Sequence, residues 1–254
     1  MDKEKVIDVK NLAVSFNDVK VLSDVSFTAY KGEVTVILGS SGSGKSTVLR
    51  HILGLYPLQE GRIELLGKDL GSLSEMEQLQ LYLKMGVFYQ NGALLNSLTV
   101  GENIALPLTQ HTSLPPELIN DIVTMKLGLV NLSHAIDYFP SELSGGMLKR
   151  AALARAIALD PPVLFCDEPG AGLDPISLEA LDKLIINLKE QLGISIVMIT
   201  HEVSSILRIA SRIVYIDKGV VVFEGSLKEA LSSNVDAVKQ FFSVLEDADK
   251  LKKS

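Results

Sequence analysis

The sequence predicts an α/β protein: a parallel core sheet, an N-terminal antiparallel β subdomain and an inserted helical subdomain. Three observations predict it. Val34-Thr35-Val36-Ile37-Leu38, Val163-Leu164-Phe165-Cys166 and Ile194-Ser195-Ile196-Val197-Met198-Ile199 are short apolar runs of the kind that buried parallel strands require, and helical segments follow the first two. Residues 6–30 instead break into strand-like pieces around turn residues, with alternation in Val25-Ser26-Phe27-Thr28-Ala29. Residues 91–160 show helical spacing punctuated by Pro107 and Pro115-Pro116.

From the N-terminus, Val6-Ile7-Asp8-Val9 with Leu12-Ala13-Val14-Ser15-Phe16, and then residues 21–30, read as strands joined at Asn17-Asp18. Residues 61–67 add a further strand closed by glycines. Phe16 lies upstream of the loop at 39–47 by a reach that can place its ring under an adenine. It reads equally as a core residue at a strand end, because stacking asks only for an aromatic.

That loop, Gly39-Ser40-Ser41-Gly42-Ser43-Gly44-Lys45-Ser46-Thr47, fits G-x-x-x-x-G-K-[ST] between a strand and a helix. Small residues let main-chain N–H groups wrap a β-phosphate, and the helix N-terminus adds positive potential. Lys45 can reach the β- and γ-phosphates, and the Ser46 hydroxyl can ligate Mg²⁺. The pattern in this context implies binding of a nucleoside triphosphate.

Residues 72–84 form a polar helical piece with Ser72 or Ser74 as its cap, leading to the strand Met85-Gly86-Val87-Phe88-Tyr89-Gln90. Gln90 can offer its carbonyl oxygen to Mg²⁺ or to an attacking water. His111 and His134 sit near turns and read as surface residues. Leu143-Ser144-Gly145-Gly146-Met147 opens a helix over 148–159 that stops at Asp160-Pro161-Pro162. On its own the Ser-Gly-Gly reads as a glycine-rich N-cap, although it bares N–H groups that suit an anion.

The strand at 163–167 ends in Asp167-Glu168, where the carboxyl edge of a parallel sheet forms a ligand crevice. Asp167 suits Mg²⁺ held through its water shell, and Glu168 suits polarisation of an attacking water. Asp174-Pro175 starts an amphipathic helix through Leu178, Leu181, Leu184, Ile185 and Leu188. His201 follows the strand at 194–200, at the same rim as Glu168, where an imidazole can touch a γ-phosphate or position water. Residues 213–223 read as a closing hairpin. Val238, Phe241, Phe242 and Leu245 then share one helical face, which can dock on its own domain or clasp a neighbour.

The chain of 254 residues carries 24 basic and 31 acidic side chains, a net charge of −7 that argues against broad binding to nucleic acid or anionic lipid. Its single cysteine, Cys166, excludes an internal disulfide and suits a reducing compartment. No secretory signal and no membrane-spanning run is visible, so any membrane connection is expected through a partner.

Taken in order, residues 39–47, Gln90, Leu143–Met147, Asp167-Glu168, Gly172-Leu173-Asp174 and His201 resemble the motifs of ABC-type ATPase (nucleotide-binding) subunits, over about residues 6–226. The resemblance implies a P-loop NTPase fold using ATP and Mg²⁺, with a helical subdomain at about 91–160 and a helical tail at 227–254. It implies Walker A at 39–47 and Mg²⁺ ligands Ser46, Gln90 and Asp167. The catalytic set it implies is Glu168, Gln90 and the switch residue His201. It also implies a nucleotide-binding D-loop around Asp174 and a head-to-tail pair of copies, in which Ser144, Gly145 and Gly146 serve the partner's nucleotide.

Met147 in the signature, together with Tyr89-Gln90-Asn91-Gly92-Ala93-Leu94-Leu95 and Arg150-Ala151-Ala152-Leu153-Ala154-Arg155-Ala156, is similar to the Mla-type branch. Those ATPases serve MCE-protein phospholipid transporters of diderm bacteria. That likeness implies permease and MCE-domain partners and a peripheral place on the cytoplasmic face of the inner membrane. Other importers, lipoprotein-release ATPases and soluble ABC ATPases of iron–sulfur cluster assembly share the same ATP-site motifs.

Overall fold

A computed structural model describes residues 3–243. In chain order the first elements are β1 (Lys5–Phe16), β2 (Val19–Tyr30), β3 (Val34–Leu38), α1 (Lys45–Ile52), β4 (Glu60–Leu65) and β5 (Lys68–Asp69). Next come α2 (Glu75–Tyr82), β6 (Met85–Phe88), α3 (Val100–His111), α4 (Pro116–Leu129), α5 (Gly145–Ala156), β7 (Val163–Asp167), α6 (Pro175–Leu192) and β8 (Ser195–Ile199). The chain then forms α7 (Val203–Ile209), β9 (Arg212–Asp217), β10 (Val220–Ser226) and α8 (Leu227–Leu231), and a last helix, α9, covers described residues 236–243. These elements make two compact units, one from residues 3–74 with 199–243 and the other from 75–198.

In the first unit the strands lie in the order β5-β4-β1-β2-β10-β9-β3. β1 pairs antiparallel with both β2 and β4. The β1–β2 hairpin turns on Asn17 and Asp18, both left-handed at φ 47° and 63°, a geometry that matches strand twist and that Asn and Asp tolerate. The β9–β10 hairpin joins this meander to the parallel pair β3–β9. All five residues of β3 are buried, which explains its unbroken apolar run. In α9, Val238 and Phe242 are buried, and the Phe241 ring meets Tyr215 of β9 edge-on at 6.0 Å. Part of the apolar face therefore docks on its own unit; Leu245 lies outside the described residues.

In the second unit the order is β8-β7-β6, with β6 and β7 parallel and Phe88 opposite Cys166. Cys166 is fully buried, and desolvation pushes its thiol far up, which makes it an inert filler. Helices α3, α4 and α5 pack on one another through Ile104, Leu108, Val123, Leu127, Ala151 and Ala154. Thr99 and Glu102 form a reciprocal capping box at the start of α3. Helix α5 differs from its expected bounds: it starts at Gly145 and ends at Ala156. The Ser144 hydroxyl accepts the Met147 N–H at 3.3 Å, so both glycines enter the first turn despite their low propensity.

Candidate functional site

In the first unit the phosphate loop leaves the carboxyl end of β3 and enters α1. Gly39 (φ 148°) and Gly44 (φ 102°) are fixed by close approach: a Cβ at Gly39 would strike the Ile216 carbonyl, and one at Gly44 would strike Leu22. Gly44 also caps α1 without a side-chain acceptor, and no acid stands in the first turn. That helix end is therefore left to an anion. Lys45 Nζ donates to the Gly39 and Ser40 carbonyls at 2.8 Å each, which folds the ammonium back over the loop. Gly42, Gly44, Lys45, Ser46 and Thr47 line a cavity of about 270 Å³, and the Ser40 hydroxyl donates to Asp217 at 3.3 Å.

Phe16 ends β1 with 38% of its surface exposed, its ring edge-on to Tyr56 at 5.5 Å. Tyr56 in turn lies 5.5 Å from His51 of α1, whose Nδ1 is 2.7 Å from the Thr47 carbonyl. An aromatic chain thus runs from the loop helix to the exposed ring. His201 follows β8 with an exposed side chain, its Nε2 3.8 Å from Glu202 Oε1.

In the second unit, Gln90 and Glu168 each stand two residues beyond the last registered pair of β6 and β7, Phe88 with Cys166. Both leave the sheet at its carboxyl edge, beside Asp167. Glu168 has φ 47°, a left-handed backbone that costs a non-glycine residue of order 1–3 kcal/mol and concentrates at functional positions. The Gln90 carbonyl oxygen and Asp167 carboxylate of this unit, and the Ser46 hydroxyl of the first, are each oxygen donors of the kind a hard cation such as Mg²⁺ takes. Among the described residues, no three His, Cys, Asp or Glu side chains gather to hold a metal alone.

The same unit brings two helix N-termini to one cavity of about 500 Å³, lined by Ser144, Gly145, Gly146, Arg150, Asp174 and Ser177 among others. Asp174 Oδ1 accepts the N–H groups of Ile176 and Ser177 at 3.0 and 3.1 Å, and the Ser177 hydroxyl donates to Oδ2 at 2.5 Å. The Ser177 hydroxyl first, then these main-chain bonds, holds the Asp174 carboxyl below its usual range. A Cβ at Gly145 or Gly146 would meet nothing closer than 4.0 Å. The chain's own packing does not require glycine there.

Sequence reading finds every one of these motif residues but misses their supports. Asp217 carries no local signal, since Ser40 lies 177 residues away, and the contact of Tyr56 with Phe16 spans 40 positions, although its contact with His51 is local. Arg150 was legible as the residue one helical turn beyond Gly146, whose carbonyl its Nε reaches at 3.4 Å.

The ABC transporter family model matches residues 22–171. The intermembrane phospholipid transport system ATP-binding protein MlaF of Haemophilus influenzae is 40% identical over 94% of this chain and 90% of its own length. The probable ribonucleotide transport ATP-binding protein mkl of Mycobacterium tuberculosis is 38% identical, over 93% of this chain and 66% of its own length. Among solved structures, cbiO1 from Clostridium perfringens, part of the ABC transporter complex cbiONQ, superposes with TM-score 0.85 at 27% identity, covering 99% of this chain and 100% of that one. A post-hydrolysis dimer of the ATP-binding cassette MJ0796 bound to ADP and Pi superposes with TM-score 0.78 at 30% identity, covering 87% and 98%.

Proposed function

This chain belongs to the ABC transporter family, and we propose that it binds and hydrolyses ATP as one half of a two-copy sandwich. The observation that carries this reading is the cavity at Ser144–Gly146 and Asp174. It sets the Ser144-capped start of α5, with clearance above both glycines, beside the start of α6 that Asp174 caps. A triphosphate held by the phosphate loop of a second copy is an anion of the right kind. The dimeric form of MJ0796 with ADP and Pi supports the pairing.

In this reading residues 39–47 hold the triphosphate, Lys45 contacts its β- and γ-phosphates, and Phe16 stacks on the base. Ser46, Asp167 and Gln90 hold Mg²⁺, which when bound neutralises charge on the phosphate oxygens. Glu168 takes the proton from the attacking water, and Gln90 and His201 orient that water and the γ-phosphate. The ATPase domain spans 6–226 with its helical subdomain at about 91–160, and residues 227–254 are a C-terminal tail.

Glu168→Gln keeps the shape of the side chain and removes the base. ATP binding is expected to persist while hydrolysis falls roughly 10²–10⁴-fold. Turnover at the unmodified rate would remove Glu168 from the role.

For the transported substrate, the MlaF relative supports phospholipid moved between inner and outer membranes, since it aligns over nearly all of both chains. The ATPase then sits on the cytoplasmic face of the inner membrane, bound to integral permease subunits that work with an MCE-domain protein. The mkl relative favours a second reading, a transporter of another substrate such as a ribonucleotide, although this chain spans only 66% of it. Purifying the chain with its bound membrane proteins and analysing the lipid they carry separates the two. A permease complex holding phospholipid supports the first, and a complex without lipid that is stimulated by ribonucleotides other than ATP supports the second. Soluble scaffold proteins in place of a permease would instead indicate iron–sulfur cluster assembly.

A further inference from the structure

Two cations on α5 grip the main chain that follows Gln90. Lys149 is 6% exposed; its ammonium donates to the Gln90 carbonyl and lies 5.7 Å from the centroid of the Phe88 ring. Arg155 donates from Nη1 to the Ala93 carbonyl at 2.8 Å and from Nη2 to the Gly92 carbonyl at 2.9 Å. Its Nη1 also reaches Asn103 Oδ1 at 3.4 Å. Gly92 (φ 73°) lies flush on the helix, since a Cβ there would come within 3.0 Å of Leu148 and 3.1 Å of Ala152.

Burial lowers the proton affinity of both cations. Their hydrogen-bond acceptors among the described residues are main-chain carbonyls and one amide oxygen, with no carboxylate. Apolar side chains of similar volume would pack this face with less desolvation, so stability alone does not account for a buried ammonium and a half-buried guanidinium. Charged donors on three carbonyls within four residues define where that main chain can lie. The helix that carries them begins at Ser144-Gly145-Gly146.

We propose that Lys149 and Arg155 are positioning residues that hold segment 90–93, and with it Gln90, in register with the Ser144–Gly146 end of α5. A shift of one end of the helix is then felt at the other. The proposal rests on the reading above in one respect, that Gln90 acts in hydrolysis.

The test uses the full chain in its purified permease complex, with Lys149→Met, Lys149→Arg, Gln90→Ala and the Lys149→Met/Gln90→Ala double variant. Amide hydrogen exchange across 89–95 is expected to quicken about tenfold in Lys149→Met and to stay near the unmodified rate in Lys149→Arg. In turnover, Lys149→Met is expected to lower kcat about tenfold with ATP affinity retained and Lys149→Arg to rescue it, while adding Lys149→Met to Gln90→Ala costs nothing further. Unchanged exchange in Lys149→Met overturns the clamp, as do losses that multiply in the double variant. If Gln90→Ala hydrolyses ATP normally while exchange still quickens, the clamp stands and the assignment of Gln90 falls.

Discussion

Asp8 shows how single side chains set the stability of this molecule. It sits in β1 with its side chain 7% exposed and accepts from Lys5 Nζ at 3.0 Å and Thr28 Oγ1 at 3.1 Å, with Lys10 Nζ at 3.4 Å. Burial alone would raise its carboxyl, but these donors outweigh burial and hold it below the usual value of 3.8. A carboxylate depressed on folding contributes stability above its unfolded value, and that contribution is lost as the pH falls through the lower folded one. Asp8→Asn is therefore expected to cost about 1–3 kcal/mol at neutral pH. In urea unfolding the deficit should narrow as the pH drops below 3.8. Parallel curves for the two proteins down to acid pH would contradict this account. At the same scale, the phosphate loop was legible residue by residue, because G-x-x-x-x-G-K-S is a local pattern. The contact of Phe16 with Tyr56 was not, because nothing between these two positions records it.

Among the elements, α3 and the loop before it depend on one amide. Asn103 is fully buried; its Nδ2 donates to the carbonyls of Leu95, Leu98 and Thr99 at 2.9–3.2 Å, and its Oδ1 accepts the Leu95 N–H at 2.8 Å. Asn103→Ala strips the amide from all of these groups, of which the Leu95 and Thr99 carbonyls keep the N–H groups of Leu98 and residue 103. The expected loss is at least about 2 kcal/mol in denaturant unfolding, and a loss below roughly 0.5 kcal/mol would contradict the assignment. The element types were readable from period and caps. The apolar runs gave β3, β7 and β8, and Asp174-Pro175 gave the start of α6. The start of α5 was readable as a glycine-rich N-cap, but not that both glycines enter the first turn, which shows only in the Ser144 cap on Met147. Nor was the role of Asn103, which as a lone polar residue in an apolar stripe gives no sign of its four main-chain partners. Lys126, fully buried and paired with Asp160, is hidden in the same way because its partner is 34 residues away.

For the whole molecule, a net charge of −7 gives little attraction to anionic lipid, and no helix among the described residues is long and apolar enough to cross a membrane. In the reading proposed above, the Ser144–Gly146 end of α5 serves a triphosphate held by a second copy. Lys45→Ala removes the phosphate grip and Gly146→Asp places a carboxylate against the incoming phosphate; each alone is expected to abolish hydrolysis in the permease complex. Co-expressing the two inactive chains in equal amounts and measuring ATP hydrolysis tests the central claim. Mixed pairs keep one intact pocket, made of a normal phosphate loop on one copy and a normal signature on the other, so activity should return to about a quarter of the unmodified rate. Mixed complexes that stay as inactive as either parent would contradict a pocket shared between copies.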